Sequence, residues 1–203
     1  MKPQAGTGAG GMAAASVAAH EGLSVLLVEK TDRLGGTTAI SGGMVWAPNT
    51  VAAKTEGQAD TVEDARTYLD AVIGDLPGAD LRQIYLERAP EAIAYLGRNT
   101  AVDLVPLAFY PDYYPDLPGA TLKGRVLEPR PFDGRTLGEA FRLLRDPLPE
   151  FTLFGGMMVS RTDIPHFRRM FRSPRSALRV AMLLIKYGLH RLNLHRGATG
   201  DGL

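Results

Sequence analysis

An α/β fold is predicted by three observations in this 203-residue chain: glycines at 6, 8 and 11, an Ala-rich run to His20, and an apolar run from Ser24 to Val28 closed by Glu29. In that order they read as a partial Rossmann-like unit, a βαβ without its first strand, followed by a mainly helical region.

Each part of the turn has a physical reason. Gly6 permits the tight turn, Gly8 lets the backbone approach a pyrophosphate without a Cβ in the way, and Gly11 lets the helix pack closely on the sheet. The helix Met12–His20 aims its N-terminal amides and positive dipole end at the phosphates, so Gly6, Gly8, Ala9, Gly10 and Gly11 form the expected phosphate-facing set. Gly22 stops the helix. Ser24–Val28 is the second parallel strand, and Glu29 at its end can accept hydrogen bonds from a ribose, which favours FAD or NAD over NADP.

Residues 1–5, Met-Lys-Pro-Gln-Ala, do not read as the central strand that should lead into Gly6, because Pro3 lacks an N–H and Lys2 and Gln4 are polar. Losing about five buried apolar side chains there costs roughly 8–15 kcal/mol, comparable with the whole stability of a domain. The expected organisation is therefore a dinucleotide-binding core over residues 1–50 with its first strand absent, then a helical, Tyr-containing region over 51–203 of the same domain, with no substrate domain.

The rest of the chain supplies helices. Thr61 with Asp64 makes a capping box ahead of an apolar face of Val62, Ala65, Leu69, Val72 and Ile73. A second helix is expected from Asp80 to Arg88 and a third from Pro90, a good first helical residue, to Arg98. Ala101–Val105 and Gly124–Leu127 read as short strands. Leu137–Arg145, Asp163–Phe171 and Ser176–Leu192 read as helices. Between them Phe109–Gly119 places Tyr110, Tyr113 and Tyr114 among three prolines, which makes a stiff loop that displays phenols.

Composition excludes several classes. A net charge of +1 gives no reason to expect nucleic acid, and the absence of cysteine removes disulfides, thiolate metal sites and thiol nucleophiles. No run approaches the ~20 apolar residues of a membrane span. His20, His166, His190 and His195 show no ligand spacing with acids and read as surface or cap residues, so no metal site is expected. Met157, Met158 and Met182 read as core. Residues 161–196 carry nine Lys/Arg and one acid; a solvated helix face is the plain reading, and contact with a membrane surface or a partner the other. A cytoplasmic location is the default.

After Glu29 come Lys30, then Gly35-Gly36-Thr37-Thr38 and Ser41-Gly42-Gly43-Met44. This run resembles the flavoproteins of the FAD-binding fumarate reductase and 3-ketosteroid dehydrogenase superfamily. The resemblance implies FAD, with Lys30, the Gly35–Thr38 segment and Ser41–Met44 passing along the flavin. The Tyr-rich loop, with Gly124-Arg125 through Glu128-Pro129 after it, looks like the matching loop of the 3-ketosteroid dehydrogenases, members of steroid metabolism. It implies that Tyr113, with Tyr114 as runner-up, lines a steroid pocket and hydrogen-bonds a catalytic base tyrosine from a later part of the chain. The implied activity is that of a 3-oxosteroid 1-dehydrogenase, moving a hydride from a steroid ring carbon to flavin N5. Family members are far longer, so the chain matches as an N-terminal fragment. Two other readings stand beside it: an inactive remnant without stable FAD binding, and a fumarate reductase-like flavoprotein. The latter calls for paired arginines and histidines, a case that Arg125 and Arg130 alone do not make.

Overall fold

The computed structural model describes residues 2–58, 60–154 and 156–194. In chain order the elements are β1 (Lys2–Ala5), α1 (Ala9–His20), β2 (Val25–Val28), β3 (Val45–Trp46), α2 (Val51–Thr55), α3 (Val62–Ile73), α4 (Ala79–Asn99), β4 (Leu104–Pro106), β5 (Val126–Pro129), β6 (Thr152–Leu153), β7 (Met157–Met158), α5 (Ile164–Arg169) and α6 (Pro174–Leu194). They divide into two compact units: residues 2–15, 23–42 and 131–194, and residues 16–22 and 43–130.

In the first unit β1 pairs parallel with β2, Pro3 standing opposite Leu26 and Ala5 opposite Val28. This corrects the expectation that the first strand is absent. The rule against proline holds for a strand bonded on both edges. In a parallel ladder alternate residues address a given neighbour, and among the described residues β1 has one neighbour, so a proline can sit in a non-donating position. The chain leaves β1 at Gly6, whose N–H donates to the Val28 carbonyl at 2.8 Å. α1 starts three residues before the predicted Met12, its first turn closed by the Met12 N–H on the Gly8 carbonyl at 3.0 Å.

The later part of this unit is tied to the segment after β2. Leu34 donates to Leu143 O at 2.7 Å and accepts from Arg145 N–H at 2.8 Å, and Arg33 Nη1 reaches Arg142 O at 2.7 Å. Where a helix is expected over 137–145, the chain makes a 3-10 segment, Gly134–Leu143, broken at Gly138 (φ 53°, ψ −129°). β6 and β7 form a small antiparallel pair. α6 buries Ser176, Val180, Leu183 and Tyr187, a helical repeat on one face, and Leu183 and Tyr187 close on Met157. Met157 is thus core as expected, whereas Met182 is half-exposed on another face of α6. His166 Nδ1 lies 3.2 Å from Ser176 Oγ; the side chain of His190 and all of His195 lie outside the described residues. Among the described residues no helix is long and apolar enough to cross a membrane.

The second unit is built on an antiparallel sheet of order β3-β5-β4. Ala47, Ala89 and Leu127 are its buried centre, with Val45, Ala52, Ile93 and Leu104 packed around them. Thr61 caps α3 as the sequence predicts, accepting from Asp64 N–H at 3.0 Å. The face α3 buries is centred on Ala65 and Tyr68 rather than on Leu69 and Val72. α4 runs unbroken through Pro90, where two helices are expected. The proline forfeits one i→i−4 bond, and the burial of Leu86 and Ala89 in the preceding turn offsets that loss.

Candidate dinucleotide site and its tyrosine loop

The glycine turn, the end of β2 and the Gly35–Ser41 segment meet in the first unit. Gly6 (φ 82°) makes the reversal that only glycine adopts without strain. A Cβ on Gly36 (φ 53°) would stand 3.3 Å from Gly8 Cα, so two backbones touch where side chains are missing on both sides. At the start of α1 the Ala9 N–H donates to Thr38 Oγ1 at 3.0 Å. The helix itself gives the next two amides, of Gly10 and Gly11, no acceptor, and they head the dipole of a twelve-residue helix. That combination suits a pyrophosphate.

Glu29 is held by donors from its own chain. One carboxylate oxygen accepts from Thr7 N–H at 2.9 Å and Thr7 Oγ1 at 2.6 Å. The other accepts from Lys30 N–H at 2.8 Å and Thr31 N–H at 3.3 Å. The Thr7 hydroxyl and amide, joined by the amides of Thr31 and Lys30, hold its pKa down at about 2 against an ordinary 4.5. The carboxylate is ionised throughout the physiological range, which suits hydroxyl donors and opposes a phosphate.

The other residues expected at the cofactor lie as follows. Lys30 contributes its backbone N–H to Glu29 and is exposed. Gly35 packs against Ala39, Thr37 precedes a 3-10 turn over Thr38–Ile40, and Ser41 Oγ donates to Thr38 O at 2.9 Å. Gly42 is exposed at the end of this segment. Gly43 and Met44 belong to the second unit, Gly43 (φ 67°) lying against the Pro129 ring and Met44 half-exposed. Thr7, absent from the sequence-derived set, is 2% exposed and bonds both Glu29 and Gly35. A Thr between the first two glycines was the only signal, and it names no partner.

In the second unit the tyrosine loop is closed by two ladder-like bonds, Tyr110 N–H to Leu122 O at 3.0 Å and Asp112 N–H to Thr121 O at 2.9 Å. Tyr113 is 86% exposed and Tyr114 57% exposed, so the loop displays phenols as expected. Beneath it lies a polar cluster that sequence reasoning did not assemble. Arg125, 1% exposed, reaches Asp60 through Nε and Nη2 (2.9–3.2 Å) and Asp112 through Nη1 at 2.8 Å. Its guanidinium lies over Trp46 and Tyr68, at 5.6 and 5.7 Å from the ring centroids. Trp46 Nε1 donates to the second Asp112 oxygen at 2.7 Å, and Tyr68 Oη accepts the Tyr114 N–H at 3.2 Å. Arg125 is therefore committed internally, and Arg130 pairs at the surface with Asp103.

The turn, the fixed acid and the glycine apposition define a dinucleotide-binding protein, and a family described as FAD binding domain matches residues 5–186. The 3-oxosteroid 1-dehydrogenase of Mycolicibacterium smegmatis is 41% identical over 174 residues, 86% of this chain and 30% of that protein. The 4-oxocyclohex-2-ene-1-carboxylate 5-dehydrogenase of Sinomonas cyclohexanicum is 40% identical over 89% of this chain and 30% of its own length. Among solved structures, the 3-ketosteroid Δ1-dehydrogenase of Sterolibacterium denitrificans in complex with 1,4-androstadiene-3,17-dione superposes with a TM-score of 0.81 at 38% identity, covering 98% of this chain and 35% of that one. The chain belongs to the family described as FAD binding domain. It spans about 30% of the length of the curated relatives it matches.

Proposed function

We propose that the first unit holds FAD and that the chain serves dehydrogenation of a flat, ketone-bearing ring substrate of the steroid class, as a 3-oxosteroid 1-dehydrogenase does. The observation that carries the reading is the Gly8–Gly36 backbone apposition at the head of α1, beside an ionised Glu29. When bound, FAD supplies the acceptor for the hydride that leaves the ring carbon. The chain's own residues do the rest of the work assigned here. The Gly10 and Gly11 amides take the pyrophosphate charge, Glu29 offers acceptors to ribose hydroxyls, and Gly35, Gly36, Thr37, Thr38, Ser41 and Gly42 give backbone along the flavin. The ketone acidifies the proton on the neighbouring carbon, and a phenol, with an ordinary pKa near 10, becomes a competent base only when a second phenol donates to its developing anion. Tyr113 is the donor in this reading, with Tyr114 second because its backbone is pinned by Tyr68.

A titration of the purified chain with FAD, read by quenching of flavin fluorescence, tests the cofactor reading; no quenching overturns it. In an active protein containing this chain, Tyr113→Phe should slow flavin reduction by steroid more than it weakens steroid binding. Stopped-flow rates unaltered by the substitution would remove Tyr113 from the mechanism.

A further inference from the structure

Thr7 ties the glycine turn to the two other segments of the dinucleotide site. It leads out of the turn after β1, its N–H and hydroxyl both donate to one oxygen of Glu29 at the end of β2, and its Oγ1 accepts the Gly35 N–H at 2.8 Å. A hydroxyl offers one donor and two acceptor positions, so a single side chain closes this circuit. The 2.6 Å bond to Glu29 has the length of a charge-assisted O–H···O⁻ contact. The β-branched side chain is stiff about χ1 and is almost wholly buried, 2% exposed, so the arrangement is held rather than sampled. The glycines on either side, Gly6 and Gly8, have no side chain with which to do this.

We propose that Thr7 is the positioning residue of the FAD site: its hydroxyl fixes the Glu29 carboxylate and the Gly35 backbone relative to the glycine turn before the cofactor arrives. Its role toward the cofactor rests on the FAD reading above. Thr7 acts through Glu29 and Gly35 and shapes the site by preorganisation. The donors to Glu29 are all uncharged, namely the amides of Thr7, Lys30 and Thr31 and the hydroxyls of Thr7 and Thr31, so no cation among them can substitute for the lost bond.

The test uses the full 203-residue chain with FAD as probe, and compares wild type with Thr7→Val and Thr7→Ser. Valine keeps the shape and removes the hydroxyl; serine keeps the hydroxyl. Thr7→Val should raise the Glu29 titration midpoint, followed by carboxyl ¹³C shifts, from about 2 toward 4.5. It should also free the Gly35 amide to exchange and raise the FAD Kd about tenfold, the worth of one hydrogen bond to a charged group. Thr7→Ser should restore all three. A valine variant with unchanged Glu29 titration and unchanged FAD affinity would overturn the proposal. Should the valine variant fail to fold, the wild type alone decides: a Gly35 amide that exchanges as fast as an open loop overturns the clasp, and a protected one supports it. A wild-type chain that takes no FAD, with Glu29 still shifting on Thr7→Val, would overturn the FAD reading and uphold the clasp.

Discussion

Asp112, the residue before Tyr113, is bound on both carboxylate oxygens from beneath, by Arg125 Nη1 at 2.8 Å and by Trp46 Nε1 at 2.7 Å. The backbone that presents the phenol is thus anchored to β3 and β5 by a buried charge. Removing the cation leaves two carboxylates, Asp60 and Asp112, 2% and 1% exposed without their partner. Arg125→Met should lower stability by about 3–5 kcal/mol, the usual cost of breaking a buried pair from one side. Urea unfolding followed by tryptophan emission measures it, since Trp46 sits in the cluster; a loss below about 1 kcal/mol would show the carboxylates finding other donors or water.

Gly119 fixes the far end of the same loop. Its φ of 73° is a glycine conformation, and a Cβ there would stand 2.2 Å from Asp64 O and 2.8 Å from Tyr68 N. Both neighbours are backbone of α3 and cannot rotate away. Gly119→Ala should therefore cost about 2–4 kcal/mol, strain and overpacking together. Gly74→Ala, at a similar φ of 62° with nothing within 4 Å, should cost only the conformational part, about 1–2 kcal/mol. Equal losses at the two positions would mean that α3 yields to the loop.

What could be read from sequence was local. The helix headed by the glycine spacing and the Thr61 cap each depend on neighbouring residues; the cap stands where the spacing put it, and the helix begins three residues earlier than expected. The Arg125 cluster joins residues 13 and 65 positions apart, and no periodicity announces such a pairing. Thr7 escaped for the same reason: it lies inside the motif, but its partners Glu29 and Gly35 are 22 and 28 positions away. Two of the misread elements, β1 and the break at Pro90, came from applying proline's local penalties where tertiary context overrides them. Pairing on one edge tolerates Pro3, and a buried face carries α4 past Pro90.

Acid should weaken the first unit through Glu29. Its folded pKa, about 2, lies below the ordinary 4.5. A group depressed on folding contributes stability that is fully present above the unfolded value and is lost as pH falls through the folded one. The contribution should therefore decline between about pH 4.5 and pH 2 and be constant above. Asp163, lowered mainly by its hydrogen bonds from Arg179, adds in the same direction. Urea midpoints collected across this range should fall less steeply for Glu29→Gln than for wild type; identical slopes would show that Glu29 titrates alike in the folded and unfolded chain.

Pro90 sits inside α4, where it leaves the Leu86 carbonyl without its i+4 donor. Its ring does not fill space well: a cavity of about 150 Å³ opens beside it, lined by Thr50, Ala52, Ile93 and Leu104 among others. Little packing is therefore lost with the ring. Pro90→Ala regains one helical hydrogen bond and relieves the clash, a gain of up to about 3 kcal/mol, while the freer unfolded chain returns about 0.4–1 kcal/mol of it. The variant should be more stable by about 1–2 kcal/mol, seen as a higher urea midpoint with an unchanged slope. A lower midpoint would mean that the ring, rather than Leu86 and Ala89, holds this turn of α4 against the sheet.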